Sequence, residues 1–371
     1  MQLRFVCDRN ELSEALMNVS KAVPASSPFT ALEGIKFELE DGVLRMTGYD
    51  LELGIRTSVS VKSADKGKFL AGARLFSEMV RKMPEGDITV ELDENMMITI
   101  EGGATSYNMN ALPADDYPEL PEKESLEPIE MPQSVLKSMI VQTKFAASQL
   151  DIKPILKGEL FEIENKTITV AAIDGYRLAV RREPIGYEGN VSFIAPAKNL
   201  DEAAKLLSDD DGENCSIFPA KKHIIFEIGN YLVSSRRLEG EFHPYKSAIP
   251  ASHSTETVVE RTRLINALER CMLLVNEKNP SPVRCRFEDN RISMKCRTSS
   301  VGKVYDELET KVEGNPLEIG FKCRYFLEPL KAINDEKVRL QLGSSLQPMK
   351  IVPLEGDKYT YLVLPVRLPK E

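Results

Sequence analysis

The sequence predicts an α+β protein of three tandem units of about 124 residues, each with two helices packed on antiparallel strands. Three observations predict it. A turn motif recurs at equal spacing, with Glu40-Asp41-Gly42, Glu164-Asn165-Lys166 and Glu288-Asp289-Asn290 beginning at residues 40, 164 and 288, 124 apart each time. Each motif sits between two runs of alternating apolar residues, as a β-hairpin requires. Three such spacings amount to almost the whole 371 residues. The third observation is a helical register of base, acid and base at i, i+4 and i+7. It occurs as Arg74, Glu78 and Arg81, then 124 later as Lys198, Glu202 and Lys205, then 126 later as Arg324, Glu328 and Lys331.

The elements follow in order. The chain starts as a strand over residues 1–7 and turns amphipathic over 10–23, where Leu12, Leu16 and Val19 share a face. The first hairpin lies around residues 40–46, and the first cationic helix around 72–84, with Leu75, Phe76 and Met79 on its other faces. Residues 88–92 and 97–100 alternate as strands. Residues 122–126, charged and with Ser and Leu, read as a linker. The second unit repeats the plan with helices over 134–148 and 196–208 and a strand over 224–228. A second linker falls at 250–256. The third unit has helices over 260–276 and 322–334 and a strand over 338–342, and Pro329 is expected to distort its second helix. Unit boundaries are therefore placed at 1–124, 125–250 and 251–371. Three similar units in line can close into a ring, alone or as a dimer.

Composition excludes several classes. Apolar residues are 42% and charged residues 28%, which suits a folded soluble chain. No run of about 18 apolar residues offers a membrane span, and the first residues lack a signal peptide's apolar core, so a cytoplasmic protein is expected. The six cysteines show no pairing logic and read as reduced core thiols, and the three histidines have no metal-ligand spacing, so neither metal nor cofactor is expected. Asp50 and Asp174 stand at equivalent places in two units, but the third has Thr298 there. They read as turn caps instead of a catalytic carboxylate pair, and no nucleophile–histidine arrangement can be nominated.

The net charge of −9 argues against nonspecific nucleic-acid binding through the average surface. The charge is unevenly placed, however. The six helical segments together carry +6, leaving −15 for strands and loops. Two readings stand: solvated faces laced by i,i+4 pairs, or helices that face phosphates while acids moderate the attraction. Neither an aromatic platform nor a base-reading helix is evident, so sequence readout is not expected.

Several stretches resemble one family. They are residues 48–55 (Gly48-Tyr49-Asp50-Leu51 onward), 111–118 (Ala111-Leu112-Pro113-Ala114 onward), 173–179 (Ile173-Asp174-Gly175-Tyr176 onward), 238–242, Asn276-Glu277-Lys278 and Leu364-Pro365-Val366-Arg367-Leu368. Together, and in order, they resemble the bacterial DNA polymerase III beta subunits, the sliding clamps, over the entire chain. The resemblance implies three DNA-clamp domains, two chains closed head to tail into a ring, and a non-enzymatic role in tethering the replicative polymerase to duplex DNA. It implies loading by a separate clamp-loader ATPase. No GxxxxGK[ST] motif occurs in this chain.

The resemblance also implies sites. A pocket for short apolar peptides of partner proteins would be lined by Leu156, Ile173, Gly175, Tyr176, Arg177, Leu178, Leu346, Leu364, Pro365, Val366, Arg367 and Leu368, with the arginines and the tyrosine on its rim. DNA would face Arg74, Arg81, Lys82, Lys137, Lys144, Lys153, Lys198, Lys205, Arg263, Arg270, Arg324 and Lys331, with loops at Ser27 and 149–153. The dimer would join Tyr107 and Met109 of one chain to Leu273 and Leu274 of the other. The chain departs from the family at Phe242-His243-Pro244-Tyr245 and Ser247, and it continues as Pro369-Lys370-Glu371.

Overall fold

The computed structural model describes residues 2–123, 127–150, 153–275, 281–298 and 301–368. The matches at Asn276-Glu277-Lys278 and Pro369-Lys370-Glu371 lie outside them. The first repeat runs β1 (Leu3–Asp8), α1 (Arg9–Val19), β2 (Gly34–Glu40), β3 (Val43–Tyr49), β4 (Leu53–Ser60), β5 (Gly67–Gly72), α2 (Ala73–Lys82), β6 (Asp87–Leu92), β7 (Met97–Gly102) and β8 (Thr105–Leu112). The second runs β9 (Ile129–Pro132), α3 (Gln133–Val141), β10 (Gly158–Glu164), β11 (Thr167–Ile173), β12 (Arg177–Pro184), β13 (Val191–Pro196), α4 (Ala197–Ala204), β14 (Asn214–Pro219), β15 (His223–Ile228) and β16 (Tyr231–Arg236). The third runs β17 (Thr255–Glu260), α5 (Arg261–Met272), β18 (Val283–Glu288), β19 (Arg291–Thr298), β20 (Gly302–Glu309), a short β21 (Val312–Gly314), β22 (Leu317–Phe321), α6 (Cys323–Ala332), β23 (Lys337–Leu342), β24 (Met349–Val352) and β25 (Tyr359–Val363).

Local chemistry explains these elements. Strands alternate buried and exposed residues, as β6 does from Asp87 to Leu92. The three repeated turns are two-residue loops, pairing Glu40 with Val43, Glu164 with Thr167 and Glu288 with Arg291. Positive φ at Asp41, Gly42, Asn165 and Lys166 matches a mirror-image turn, whose twist follows that of the strands. Asp8 caps α1 by accepting from the amides of Asn10 (2.8 Å) and Glu11 (3.1 Å). Four expected helices are shorter than their apolar periodicity, α4 among them, which ends at Ala204. α5 ends at Met272, and α1 and α3 pass into single 3₁₀ turns at Ser20–Ala22 and Lys144–Ala146. Pro329 does not break α6. It costs only the bond its missing amide would have made, while its own carbonyl still accepts from Ile333 at 3.2 Å.

By packing, the chain forms two compact units, residues 1–135 with 202–237, and residues 136–201 with 238–371. The first holds a twelve-stranded sheet among the described residues, in the order β1-β6-β7-β8-β5-β2-β3-β4-β16-β15-β14-β9. The second holds a nine-stranded sheet, β13-β10-β11-β12-β25-β24-β23-β17-β21, and a four-stranded sheet, β20-β19-β18-β22. The middle repeat's strands are thus divided between the units. The rule that divides them is simple: the last strand of a repeat pairs with the fourth strand of the preceding one. β16 joins β4, with Val233 opposite Ile55, and β25 joins β12, with Tyr361 opposite Ala179. The chain at or just after each last strand then touches the strand that precedes the second helix of its own repeat, β5, β13 or β22. Leu112 pairs with Leu70, the amide of Leu238 donates to the carbonyl of Ile194 (2.9 Å), and the amide of Val366 donates to Gly320 (2.8 Å).

All six cysteines are unpaired and buried. Burial pushes the Cys7 and Cys215 thiols up to about 12, so they are poor nucleophiles.

Candidate functional site

The candidate groove is built at one end of five adjacent strands of the second unit. Register places Leu156 before the start of β10, Ile173 at the end of β11 and Arg177 at the start of β12. It places Leu364 beyond the end of β25 and the loop carrying Leu346 before β24. Beneath them lies an apolar cluster of Leu160, Ile173, Leu178, Leu362, Phe242 and Tyr245, with Leu156 partly buried against it. Leu346 is 79% exposed, Tyr176 48% and Leu364 37%. Apolar groups left in water above an apolar floor are what a short peptide with an apolar anchor would cover.

The turn between β11 and β12 orders one wall. The Oδ1 of Asp174 accepts from the amides of Tyr176 (2.9 Å) and Arg177 (3.1 Å), and Gly175 supplies the left-handed residue at φ 89°. A side chain on Gly175 would meet only open space, so the turn geometry is the reason for glycine. The carbonyl of Tyr176 accepts from the amide of Leu364 at 2.9 Å, tying the C-terminal segment to this turn. Asp50 makes the same turn in the first repeat, accepting from Glu52 (2.9 Å) and Leu53 (2.6 Å), so both aspartates are turn caps.

Arg177 departs from the expected rim position. It is buried, with its Nε 3.0 Å from Asp174 Oδ2 and its Nη1 paired with Glu328 of α6. Its guanidinium lies 4.5 Å from the ring of Tyr325 and 5.7 Å from that of Phe145. Burial lowers its proton affinity, and Asp174 opposes that effect. The rim cation is instead Lys322, whose ammonium stands 4.4 Å over Tyr176 and 5.0 Å over Tyr325. Leu368 also departs from expectation. It packs on Gly320, where an added Cβ would come within 2.5 Å of its Cδ2, so it lies on the four-stranded sheet and not on the groove floor. Phe242 and Tyr245, which the sequence offered only within the Phe242-His243-Pro244-Tyr245 segment, are aromatic anchors in an otherwise polar connector, and sequence reasoning missed Lys322 and Tyr325. His243, Pro244 and Ser247 are exposed.

The cationic helices present their bases outward. In α2, Ala73, Phe76 and Val80 are buried while Arg74, Arg81 and Lys82 are exposed. In α5 and α6, which pack together, Arg263, Arg270, Arg324 and Lys331 are exposed. Lys198, Lys205 and Lys153 are exposed as well, whereas Lys137 and Lys144 are half-buried. Many have acids at hand: Arg74 with Glu78 (3.7 Å), Lys205 with Glu202 (2.8 Å), Arg324 with Glu328 (2.7 Å) and Lys331 with Glu269 (2.6 Å). Lys144 is held by Asp201 and Arg270 by Asp306. Glu328 is therefore shared, serving Arg324 outside and Arg177 inside. The amide of Ser27 donates to Glu33 at 2.8 Å, and residues 151 and 152 of the other candidate loop lie outside the described residues.

The candidate interface residues sit on an open strand edge and a helix end. Among the described residues only Leu112 and Ala111 of β8 pair with β5, so its Thr105–Asn110 part has β7 alone as a neighbour there, and Tyr107 and Met109 are half-buried. Leu273 is 82% exposed and Leu274 half-buried just beyond α5, which packs against β20. β20 is the outer strand of its sheet. Among the described residues no group of three or more His, Cys, Asp or Glu could hold a metal ion, and no helix is long and apolar enough to cross a membrane.

Comparison with known proteins places this geometry. Residues 3–121, 130–244 and 246–367 match the N-terminal, central and C-terminal domains described for the DNA polymerase III beta subunit. The chain is 30% identical over 379 residues to the beta sliding clamp of Halalkalibacterium halodurans, covering 98% of this chain and 100% of that one. It superposes on the DNA polymerase sliding clamp of Bacillus subtilis with a TM-score of 0.96 at 29% identity, covering 100% of both chains. A Pseudomonas aeruginosa sliding clamp bound to griselimycin is similar at a TM-score of 0.93 and 26% identity, over 99% of this chain and 100% of that one.

Proposed function

From a chain that belongs to the DNA polymerase III beta subunit family, and is thus a non-catalytic sliding clamp, we propose a head-to-tail homodimer that encircles duplex DNA and holds the replicative polymerase by an apolar peptide. The polymerase gains processivity because a tethered enzyme rebinds intramolecularly. A separate clamp-loader ATPase would open and close the ring, and other partners would compete for the same groove.

One observation carries the dimer. The fourth strand of each repeat takes the last strand of another repeat, but β20 and the Thr105–Asn110 edge of β8 lack that neighbour among the described residues. By strand register, Val304 is the third repeat's equivalent of Ile55 and Ala179, and Tyr107 is the first repeat's equivalent of Val233 and Tyr361. Applying the same pairing to two chains sets Tyr107 opposite Val304 and Met109 opposite Gly302, with the inward-facing residues of both strands on one side. Leu273 and Leu274 flank that seam. Open edges with apolar side chains need such a partner.

The helix cations support loose DNA binding. Bases moderated by neighbouring acids attract phosphates weakly, and none of this depends on base edges, which suits a ring that slides. The test is a Tyr107→Cys/Val304→Cys double variant, oxidised after a clamp loader and ATP have placed it on circular DNA. A covalent dimer is expected that withstands high salt on the circle and runs off once the circle is cut. Absence of the cross-link, or retention on linear DNA, would sink the reading. The buried native thiols would not interfere.

A further inference from the structure

Strand register aligns one face of the three repeats residue by residue. In the second repeat this face is Leu160, Ala171, Ile173, Leu178, Val180 and Ile194, all buried. The connector that follows β16 lies on it, anchored by Phe242 and Tyr245. In the first repeat the equivalent face includes Thr47, Tyr49, Gly54 and Leu70. The connector after β8 covers it through Ala114, Tyr117 and Leu120, and the Tyr117 hydroxyl donates to the carbonyl of Thr47 at 3.2 Å. In the third repeat the same positions are Arg284, Lys295, Arg297, Lys303, Tyr305 and Gly320. The segment after β25 reaches this face at Val366 and Leu368. Beyond Leu368 the face opens as a cleft of about 710 Å³, lined by Arg284, Lys295, Arg297, Lys303, Tyr305 and Leu368 among others.

The floor of that cleft is cationic on a chain of net charge −9. Arg284 is paired with Glu318 at 2.6 Å. Lys295 lies 5.8 Å over the ring of Tyr305, which is 55% exposed. Arg297 and Lys303 show no ion pair among the described residues, and an apolar cover would leave these charges desolvated and unpaired. The molecule itself shows what lies on such a face. Both connectors are acidic and aromatic: Asp115-Asp116-Tyr117 in one, a turn in which the amide of Tyr117 donates to the carbonyl of Ala114 at 3.2 Å, and Glu239-Gly240-Glu241-Phe242 in the other. In the first repeat Asp115 meets Lys68 of the adjoining strand at 2.8 Å.

We propose that the four-stranded sheet of the third repeat is a second peptide-binding site, which takes an acidic segment with an aromatic anchor from a partner protein, in the place where the other two repeats hold their own connectors. Carboxylates would pair with Arg297 and Lys303, and the aromatic ring would stack beside Lys295 and Tyr305 against Leu368. The site needs neither the dimer nor the groove, and it lies apart from the cationic helices.

The test uses the intact protein and a fluorescein-labelled peptide of this chain's own residues 112–120, Leu112-Pro113-Ala114-Asp115-Asp116-Tyr117-Pro118-Glu119-Leu120. Fluorescence anisotropy is expected to show saturable binding. Lys295→Glu with Arg297→Glu should weaken it at least tenfold, and Tyr305→Ala by less. A peptide with alanine in place of the tyrosine should also bind more weakly. Unchanged thermal unfolding and unchanged mass by light scattering would show that the variants fold and assemble, and keep failure here distinct from failure of the clamp reading. No saturation at millimolar peptide, equal binding by the charge-reversed protein, or equal competition by polyglutamate or a single-stranded oligonucleotide would overturn the proposal.

Discussion

Two buried side chains decide how the second unit holds its site. Arg177 bridges Asp174 in the turn and Glu328 in α6, so removing it leaves the buried Asp174 carboxylate without its cation and Glu328 with Arg324 alone. Arg177→Ala is expected to lower stability by about 3 kcal/mol or more, read as a fall in the urea midpoint, and Arg177→Lys to recover only part because it cannot serve both acids in one plane. Glu159 is wholly buried, its Oε2 lies 2.5 Å from Thr143 Oγ1, and burial raises its carboxyl to about 8. A protonated Glu159 can donate to Thr143, which in turn donates to the carbonyl of Met139 at 2.8 Å. The unfolded carboxyl ionises near the ordinary value while the folded one keeps its proton. Its contribution is therefore full below about pH 4.5 and is lost as pH rises through about 8, with a slope of at most about 1.4 kcal/mol per pH unit. Glu159→Gln should flatten that part of the stability–pH curve, and an unchanged slope would show that another group is responsible.

At the scale of elements, helices carry charge and strand ends carry the groove. α2, α4 and α6 repeat the same base–acid–base face, so a single reversal is weak where a combined one is not. Arg74→Glu with Lys198→Glu and Arg324→Glu should cut DNA affinity uniformly across sequences and lower the salt slope by roughly three contacts' worth. An unchanged slope would mean that these are solvated faces only. The C-terminal segment passes very close to the four-stranded sheet at Gly320. A Cβ on Gly320 would stand 2.9 Å from the carbonyl oxygen of Val366, which is backbone and cannot step aside. Gly320→Val should therefore displace residues 364–368 and weaken an apolar groove peptide about tenfold in anisotropy titrations, while the β8 edge stays intact.

For the whole molecule the open edges matter most. Leu273, 82% exposed at the end of α5, is the apolar group most in need of a partner if two chains join. Leu273→Asp is expected to cost at least about 2 kcal/mol of association, thirtyfold or so in the dimer dissociation constant, measured by light scattering over a dilution series. A dilution curve identical to the parent's would remove Leu273 from the interface and weaken the head-to-tail pairing. The overall negative charge of the chain is compatible with DNA binding only because its bases gather on helices, so raised salt should weaken the binding of short linear DNA, which a ring can leave at its ends, well before it separates the chains.

What the sequence determined by itself was the repeat, and within it the hairpins, the strands and the six helices. Alternation, helical period and turn residues act over a few positions, and 124-residue spacing needs no structure to be seen. It also determined which helix faces are cationic, since i, i+4 and i+7 follow from helix geometry alone. Helix ends were less legible. α5 stops at Met272 although apolar periodicity continues, because packing and not pattern ends a helix. Tertiary structure decided which strands meet. Val233 pairs with Ile55, far away in sequence, and nothing local to either names the other. It decided that Arg177 is buried between two acids while Lys322 takes the rim, because a charge in a turn looks alike whether solvated or paired. It also decided that one face, apolar and covered in the second repeat, is cationic and open in the third. Those residues alternate along four strands and become neighbours only when hydrogen bonds between the strands bring them side by side.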